Sequence, residues 1–165
     1  MPLDVVLLEP SFPVNQREFA RALHAVGTRV TGIGERPKDQ LDPEMQHWLS
    51  HYEQVSNVTD VAQVEKIVRW LQGRVEVHRL EAVVEAHVMC AAKVRAACGI
   101  PGTSVQTTFL CRDKPSMKEA LRQAGVPCAQ SIGSSEPAEI QINVVVPTNG
   151  PDQTPLGVVN VQVAF

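Results

Sequence analysis

The first eight residues limit the fold more than any other stretch of this chain. Leu3-Asp4-Val5-Val6-Leu7-Leu8 is a short, almost continuous apolar run that stops at Glu9-Pro10. A run without polar alternation suits a strand covered on both faces, as in a parallel sheet. Turn-forming residues follow, and a helix is expected over 15–26, with Phe19, Leu23 and Val26 at helical spacing and Gly27 as its stop. Arg29-Val30-Thr31-Gly32-Ile33 then reads as a second strand. A strand, a helix and a strand with short links make a parallel crossover the economical topology.

The alternation continues. Pro43 opens a short helix reaching 51, and a small strand is expected over 52–55. Asp60 can cap a helix over 60–72, with Gln63 at capping-box spacing and Val61, Val64, Val68 and Leu71 as one apolar stripe. Val75, Val77, Leu80, Val83 and Val84 belong to a strand region whose register the pattern leaves open, and an Ala-rich helix over 85–98 follows. The first hundred residues therefore predict an α/β fold: a Rossmann-like open parallel sheet with helices on both faces. Beyond it, a helix starts near Asp113, with Pro115 in its first turn and Gly125 and Pro127 at its end. Residues 141–165 are Val-rich around Pro147-Thr148-Asn149-Gly150-Pro151 and read as two strands joined by a long turn.

Composition excludes several classes. A chain of 165 residues needs no disulfide to bury a core, and at 4% aromatic content that core must be Val, Leu, Ile and Ala. A net charge of -3 argues against a nucleic-acid partner. No run of about 18 apolar residues occurs, so no membrane span is expected. Met1 to Pro10 lacks the basic start of a signal peptide, which points to the cytoplasm. Cys90, Cys98, Cys111 and Cys128 form no Cys-x-x-Cys pair and are expected as buried free thiols. His47 and His51 stand at i, i+4, but Trp48 occupies the place where a zinc-protease motif has Glu, and no third ligand is evident, so no metal site is assigned. No Gly-x-Gly-x-x-Gly follows the first strand and no Gly-x-Ser-x-Gly occurs, which disfavours dinucleotide binding and a nucleophile elbow.

The segment Cys111-Arg112-Asp113-Lys114-Pro115-Ser116-Met117-Lys118-Glu119-Ala120-Leu121-Arg122-Gln123-Ala124-Gly125-Val126-Pro127 resembles a signature of the ATP-grasp superfamily, in which an Asp-Lys pair opens a helix that ends in Ala-Gly-Val-Pro. Gly99-Ile100-Pro101-Gly102 stands where such proteins close their N-terminal domain, and residues 4–10 and 29–35 are similar to the pre-ATP-grasp domain of biotin carboxylase-like members. The resemblance implies a pre-ATP-grasp domain over 1–106, the start of an ATP-grasp domain over 107–135, and an atypical hairpin-like or poorly ordered tail over 136–165. It implies a parent ligase that uses ATP and Mg²⁺ to activate a small carboxylate as an acylphosphate, which an amine or similar nucleophile attacks. Lys114 maps onto the first nucleotide-binding lysine. A compact cation beside a helix N-terminus suits phosphate oxygens.

Ligands of open α/β sheets bind outside the carboxyl ends of the strands. That rule selects Ser11 after the first strand, and Glu81, Glu85 and His87 near the last, as contacts for the second substrate under the resemblance. Glu85 also reads as a helix-start acid that complements the dipole. No catalytic residue is assigned. Residues 131–165 depart from the family: they contain no lysine, Gly cluster or acidic pair, so the second ATP lysine, the Gly-rich loop and the Mg²⁺ carboxylates have no counterparts. The expectation is an N-terminal ligase fragment, inactive alone. The alternatives are a non-catalytic binding module, such as a homodimerisation domain, and a truncated or frame-altered product.

Overall fold

The structure, a computed structural model, describes residues 2–129, 140–145 and 158–163. The chain divides into two compact units, Met1–Ala120 and Leu121–Phe165. In the first, four strands form one parallel sheet in the order β3-β2-β1-β4. They are β1 (Asp4–Leu8), β2 (Arg29–Gly34), β3 (His51–Gln54) and β4 (Arg79–Glu81). Residues Asp4–Leu8 pair in register with Arg29–Ile33 on one side, and Val5, Val6 and Leu7 pair with Arg79, Leu80 and Glu81 on the other. β1 is thus the central strand, and all five of its residues are buried. The reason lies in its composition, since only a strand with neighbours on both edges and helices on both faces hides five consecutive side chains.

Alternation along β1 divides the core in two. Val6 and Leu8 face α3 (Val61–Gln72) and α4 (Glu85–Cys98), packing with Ile33, Leu80, Val64, Val68, Leu71, Ala91 and Val94. Leu7 faces the other layer, with Ala20 of α1 (Arg17–Ala25), Val30, Tyr52, and Met45 of α2 (Pro43–Trp48). The expected Val64, Val68 and Leu71 stripe is buried and Val61 packs beside it. Of the stripe expected on α1, Leu23 packs against this layer, whereas Phe19 and Val26 are exposed and the residue sealed against the sheet is Ala20. A short helix seated close to the sheet needs a small residue at the point of approach, and periodicity alone does not reveal that distance.

Local signals set the boundaries. The Asp60 side chain accepts from the N–H groups of Ala62 and Gln63, closing the start of α3. The reciprocal half of the capping box is replaced. Gln63 Nε2 donates to Asp60 Oδ2, and Gln63 Oε1 accepts from the Ser56 N–H and hydroxyl. Of the apolar region 75–84, only Arg79–Glu81 pairs as a strand, while Val77 joins the core and Val83 is exposed. A helix absent from the sequence expectation, α5 (Val105–Arg112), is capped by Ser104, which accepts from the Thr107 N–H at 3.0 Å, and it runs across the expected boundary at 106/107. α6 (Lys114–Gln123) starts at the Asp-Lys pair, with Asp113 Oδ2 accepting from the Ser116 N–H at 3.0 Å.

All four cysteines are free, as expected, but only Cys90 is buried; Cys98 and Cys128 are partly covered and Cys111 is exposed. Burial pushes the Cys90 thiol up to about 11, which keeps it protonated and unreactive at neutral pH. In the second unit, β5 (Ile140–Val145) and β6 (Val158–Val163) pair antiparallel, with Ile140 opposite Val163. The turn expected around 147–151 lies outside the described residues.

One close approach fixes the β2–β3 side of the sheet. A Cβ on Gly32 would lie 2.8 Å from Tyr52 Cδ2 and 3.0 Å from Pro10 Cγ. Valine is the better strand former, but by no more than about 1 kcal/mol, whereas overpacking such a site costs about 1–3 kcal/mol. Gly32→Val should therefore lower unfolding stability by about 1–2 kcal/mol in urea titrations. An unchanged or raised midpoint would contradict this packing.

Candidate functional site

The carboxyl ends of β1, β2 and β4 lie along one edge of the sheet, and the side chains there are more polar and better buried than a solvated rim requires. β1 is followed directly by Glu9, which adopts a φ of +48°. A non-glycine residue in this region costs about 1–2 kcal/mol, so other interactions must hold it. Its N–H donates to Ile33 O at 2.7 Å, extending the β1–β2 ladder by one residue. Its carboxyl group turns back under the loop, with Oε1 accepting from the Ser11 hydroxyl at 2.5 Å and Oε2 from the Glu35 N–H at 2.9 Å. Glu9 is only 5% exposed.

Gly34 makes room for that carboxyl group. A Cβ there would stand 3.1 and 3.2 Å from the two Glu9 oxygens and 2.8 Å from the Tyr52 hydroxyl. Tyr52 donates to Arg36 O at 2.7 Å, and burial raises its phenol far above the ordinary value, so it remains a donor. The Glu35 side chain accepts from the Val58 N–H at 2.9 Å, tying the end of β2 to the loop that enters α3.

His87, in the first turn of α4, completes the group. It is 9% exposed, and its Nδ1 is buried without a hydrogen-bond partner among the described residues. Burial lowers its pKa, opposed more weakly by Glu9 and Glu35, so the ring is neutral at pH 7. Glu9, Ser11, Phe12, Glu35, Arg36 and His87 together line a cavity of about 330 Å³. A larger hollow of about 640 Å³, lined by 72–79, Gly99 and Pro101, surrounds the loop entering β4. It lies at the amino edge of the sheet and no residue lining it is a buried polar group, so the smaller cavity is the better candidate.

Of the residues selected from sequence, the structure brings Ser11 and His87 together in this cavity. Glu81 instead stands 3.5 Å from Arg95 Nη1, and Glu85 is exposed, with Oε1 3.9 Å from Arg112 Nε. Lys114 is exposed in the first turn of α6, two residues beyond Arg112, and that contact brings the end of α5 to the start of α4, which carries His87. His47 and His51 do not share a helical face. α2 ends at Trp48; His47 lies against His24, whereas His51 sits on β3, bonded to Glu53 and stacked on Trp70. Among the described residues no group of three or more His, Cys, Asp or Glu side chains is placed to hold a metal ion, and no helix is long and apolar enough to cross a membrane.

Sequence reasoning missed Glu9, Glu35 and Arg95. The acid-proline pair ending an apolar run was the available signal for Glu9. Arg95 carried none: it sits in the Ala-rich helix α4 yet is 6% exposed, donating to Leu80 O at 2.7 Å and Thr103 O at 3.1 Å. It joins the end of β4 to the loop before α5.

The sequence matches no family model and no curated protein. Solved structures do match in fold. An L-amino acid ligase from Bacillus licheniformis aligns with a TM-score of 0.62 at 17% identity, over 98% of this chain and 39% of that protein. A phosphoribosylglycinamide synthetase from Anaerococcus prevotii aligns with a TM-score of 0.59 at 14% identity, over 90% of this chain and 33% of its own length. The chain thus spans less than two fifths of either structure, and at these identities the likeness is one of fold.

The buried histidine makes stability depend on pH. The folded pKa of His87 lies below the unfolded value of about 6.5, so the unfolded chain binds more protons and stability is lost as pH falls below that value. Urea unfolding between about pH 7.5 and 5.5 should show a decline that His87→Gln reduces. Parallel profiles for the two proteins would contradict a neutral, buried ring.

Proposed function

We propose that this chain is the amino-terminal portion of an ATP-dependent carboxylate–amine ligase of the ATP-grasp superfamily. The observation that supports this reading is the polar cavity at the carboxyl edge of a parallel β3-β2-β1-β4 sheet, in a fold shared with two ATP-grasp ligases. One neighbour is an L-amino acid ligase and the other a phosphoribosylglycinamide synthetase, and neither is a biotin carboxylase, so the superfamily has better support than that branch of it.

In this reading the described unit contributes one wall of the reaction cleft. Ser11, Glu9, Glu35 and His87 would contact a substrate, and Lys114 would approach nucleotide phosphates from the start of α6. The fit to a phosphate rests on chemistry: an exposed ammonium group stands in the first turn of a helix, where the unpaired N–H groups add favourable partial charge. The described residues do not fit Mg²⁺, which needs carboxylates grouped around it, so no step is assigned to that ion on this chain. Glu81 and Glu85 belong to the same edge, but their arginine partners give them a bracing role at the start of α4.

Nucleotide titration tests the proposal. Millimolar Mg-ATP should shift the amide resonances of Lys114 to Met117 and the Lys114 side-chain signals, and Lys114→Ala should abolish the response. An unchanged spectrum and melting temperature at millimolar nucleotide would remove the ATP role from this lysine.

A further inference from the structure

β3 is an outer strand of the sheet, and the layers on its two faces stop short of it. Its strand neighbour is β2 alone. On the α3 face it lines a hollow of about 490 Å³ with Gln63, Lys66 and Trp70, and on the other face one of about 220 Å³ with Leu41 and Leu49. Among the described residues no hydrogen bond from another element reaches the outer backbone edge of β3. An open edge is a template for a further strand, which proline or lysine commonly blunts. His51-Tyr52-Glu53-Gln54 contains neither. Beside this edge Trp70 is 42% exposed although its ring stacks on His51. An exposed tryptophan is the kind of side chain that anchors protein–protein contacts.

We infer that β3 pairs antiparallel with β3 of a second copy of this chain, joining two four-stranded sheets about a two-fold axis at Tyr52. A two-fold contact must be self-complementary, and this strand is. His51 stacks on Trp70 and Glu53 lines the same hollow as Trp70, so both face α3, while Tyr52 packs in the opposite layer. Residues directly opposite in an antiparallel pair share a face. With the axis at Tyr52, His51 of each copy therefore stands opposite Glu53 of the other. Within one chain the two side chains already meet, with His51 Nε2 2.7 Å from Glu53 Oε1. The four groups then alternate, imidazole and carboxylate, across the junction. A step to either neighbouring register sets Glu53 against Glu53 or His51 against His51, so the side chains select one pairing. The axis is perpendicular to the sheet, which brings the two α3 helices to one face and the two Trp70 rings to the junction. β4, the other outer strand, is less suited: it has three residues, and its Glu81 stands beside the buried Arg95. The contact uses none of the residues lining the cavity at the end of β1, and it does not rest on the ligase reading.

Sedimentation and light scattering on the whole chain test this contact. The wild-type protein should be a dimer at micromolar concentration. His51→Glu and Glu53→Lys should each weaken the dimer roughly tenfold or more, because each substitution spoils two symmetry-related pairs at once. Mixed in equal amounts, the two variants should associate with each other, since acid then faces base on both sides of the axis. The protein carrying both substitutions should dimerise like the wild type, and it keeps the test decisive where a single variant fails to fold. A monomeric wild-type chain, undiminished dimers of the single variants, folded variants that stay apart when mixed, or a folded but monomeric double variant each overturns the inference.

Discussion

The buried carboxyl group of Glu9 is the point on which the ligand edge of this fold depends. It sits at the end of the central strand, where the chain must leave the sheet, and it holds the turn from inside. Its bonds to the Ser11 hydroxyl and the Glu35 N–H join the loop after β1 to the end of β2. Glu35 then reaches the Val58 N–H, so the loop before α3 is fixed to the same carboxyl group at one remove. The positive φ of Glu9 is the cost of this arrangement, and the extra ladder bond to Ile33 O helps to offset it. Gly34 is the complementary concession, because any side chain there would occupy the carboxyl group's space.

Arg95 does a similar job on the other side of β1. Its guanidinium group is buried and bonded to the carbonyls of Leu80 and Thr103, with Glu81 nearby, so the end of β4 is tied to the approach to α5. Gly102 packs against the Arg95 stem, which is why the loop passes so close to α4. At the opposite, amino edge of the sheet, Asp4 pairs with Arg29 and its N–H donates to His78 Nδ1. A buried acid stands at each end of β1, Asp4 as its first residue and Glu9 just past its last. The acid at the amino edge has a cationic partner, and Glu9 at the carboxyl edge has none among the described residues. That difference sets the Asp4–Arg29 pair apart from the Glu9 carboxyl group, which is held by hydrogen bonds alone.

Much of the architecture was legible because each element carries its own local signal. The β1 run contains no polar alternation, Asp60 caps α3, and Glu85–Cys98 is bounded as an Ala-rich helix with Gly99 after it. Errors fell where a tertiary distance overrode periodicity. Phe19 and Val26 keep helical spacing but remain exposed, because the helix approaches the sheet at Ala20. His47 and His51 share a spacing but not an element, since the helix stops at Trp48. The rule about strand ends selected four residues of the candidate site, of which Ser11 and His87 line one cavity while Glu81 and Glu85 stand beside arginines.

The amino-acid sequence by itself determined the alternation of strands and helices through Cys98 and the burial of β1, since hydrophobic pattern, caps and breakers act over a few neighbouring residues. Only the tertiary structure decided that Glu9, Glu35 and His87, spread over nearly eighty positions, line one cavity. The physical reason is that an acid's partner is set by distance in space. Local sequence shows that a carboxylate exists; the packing of the sheet decides whether an arginine or a backbone N–H stands beside it.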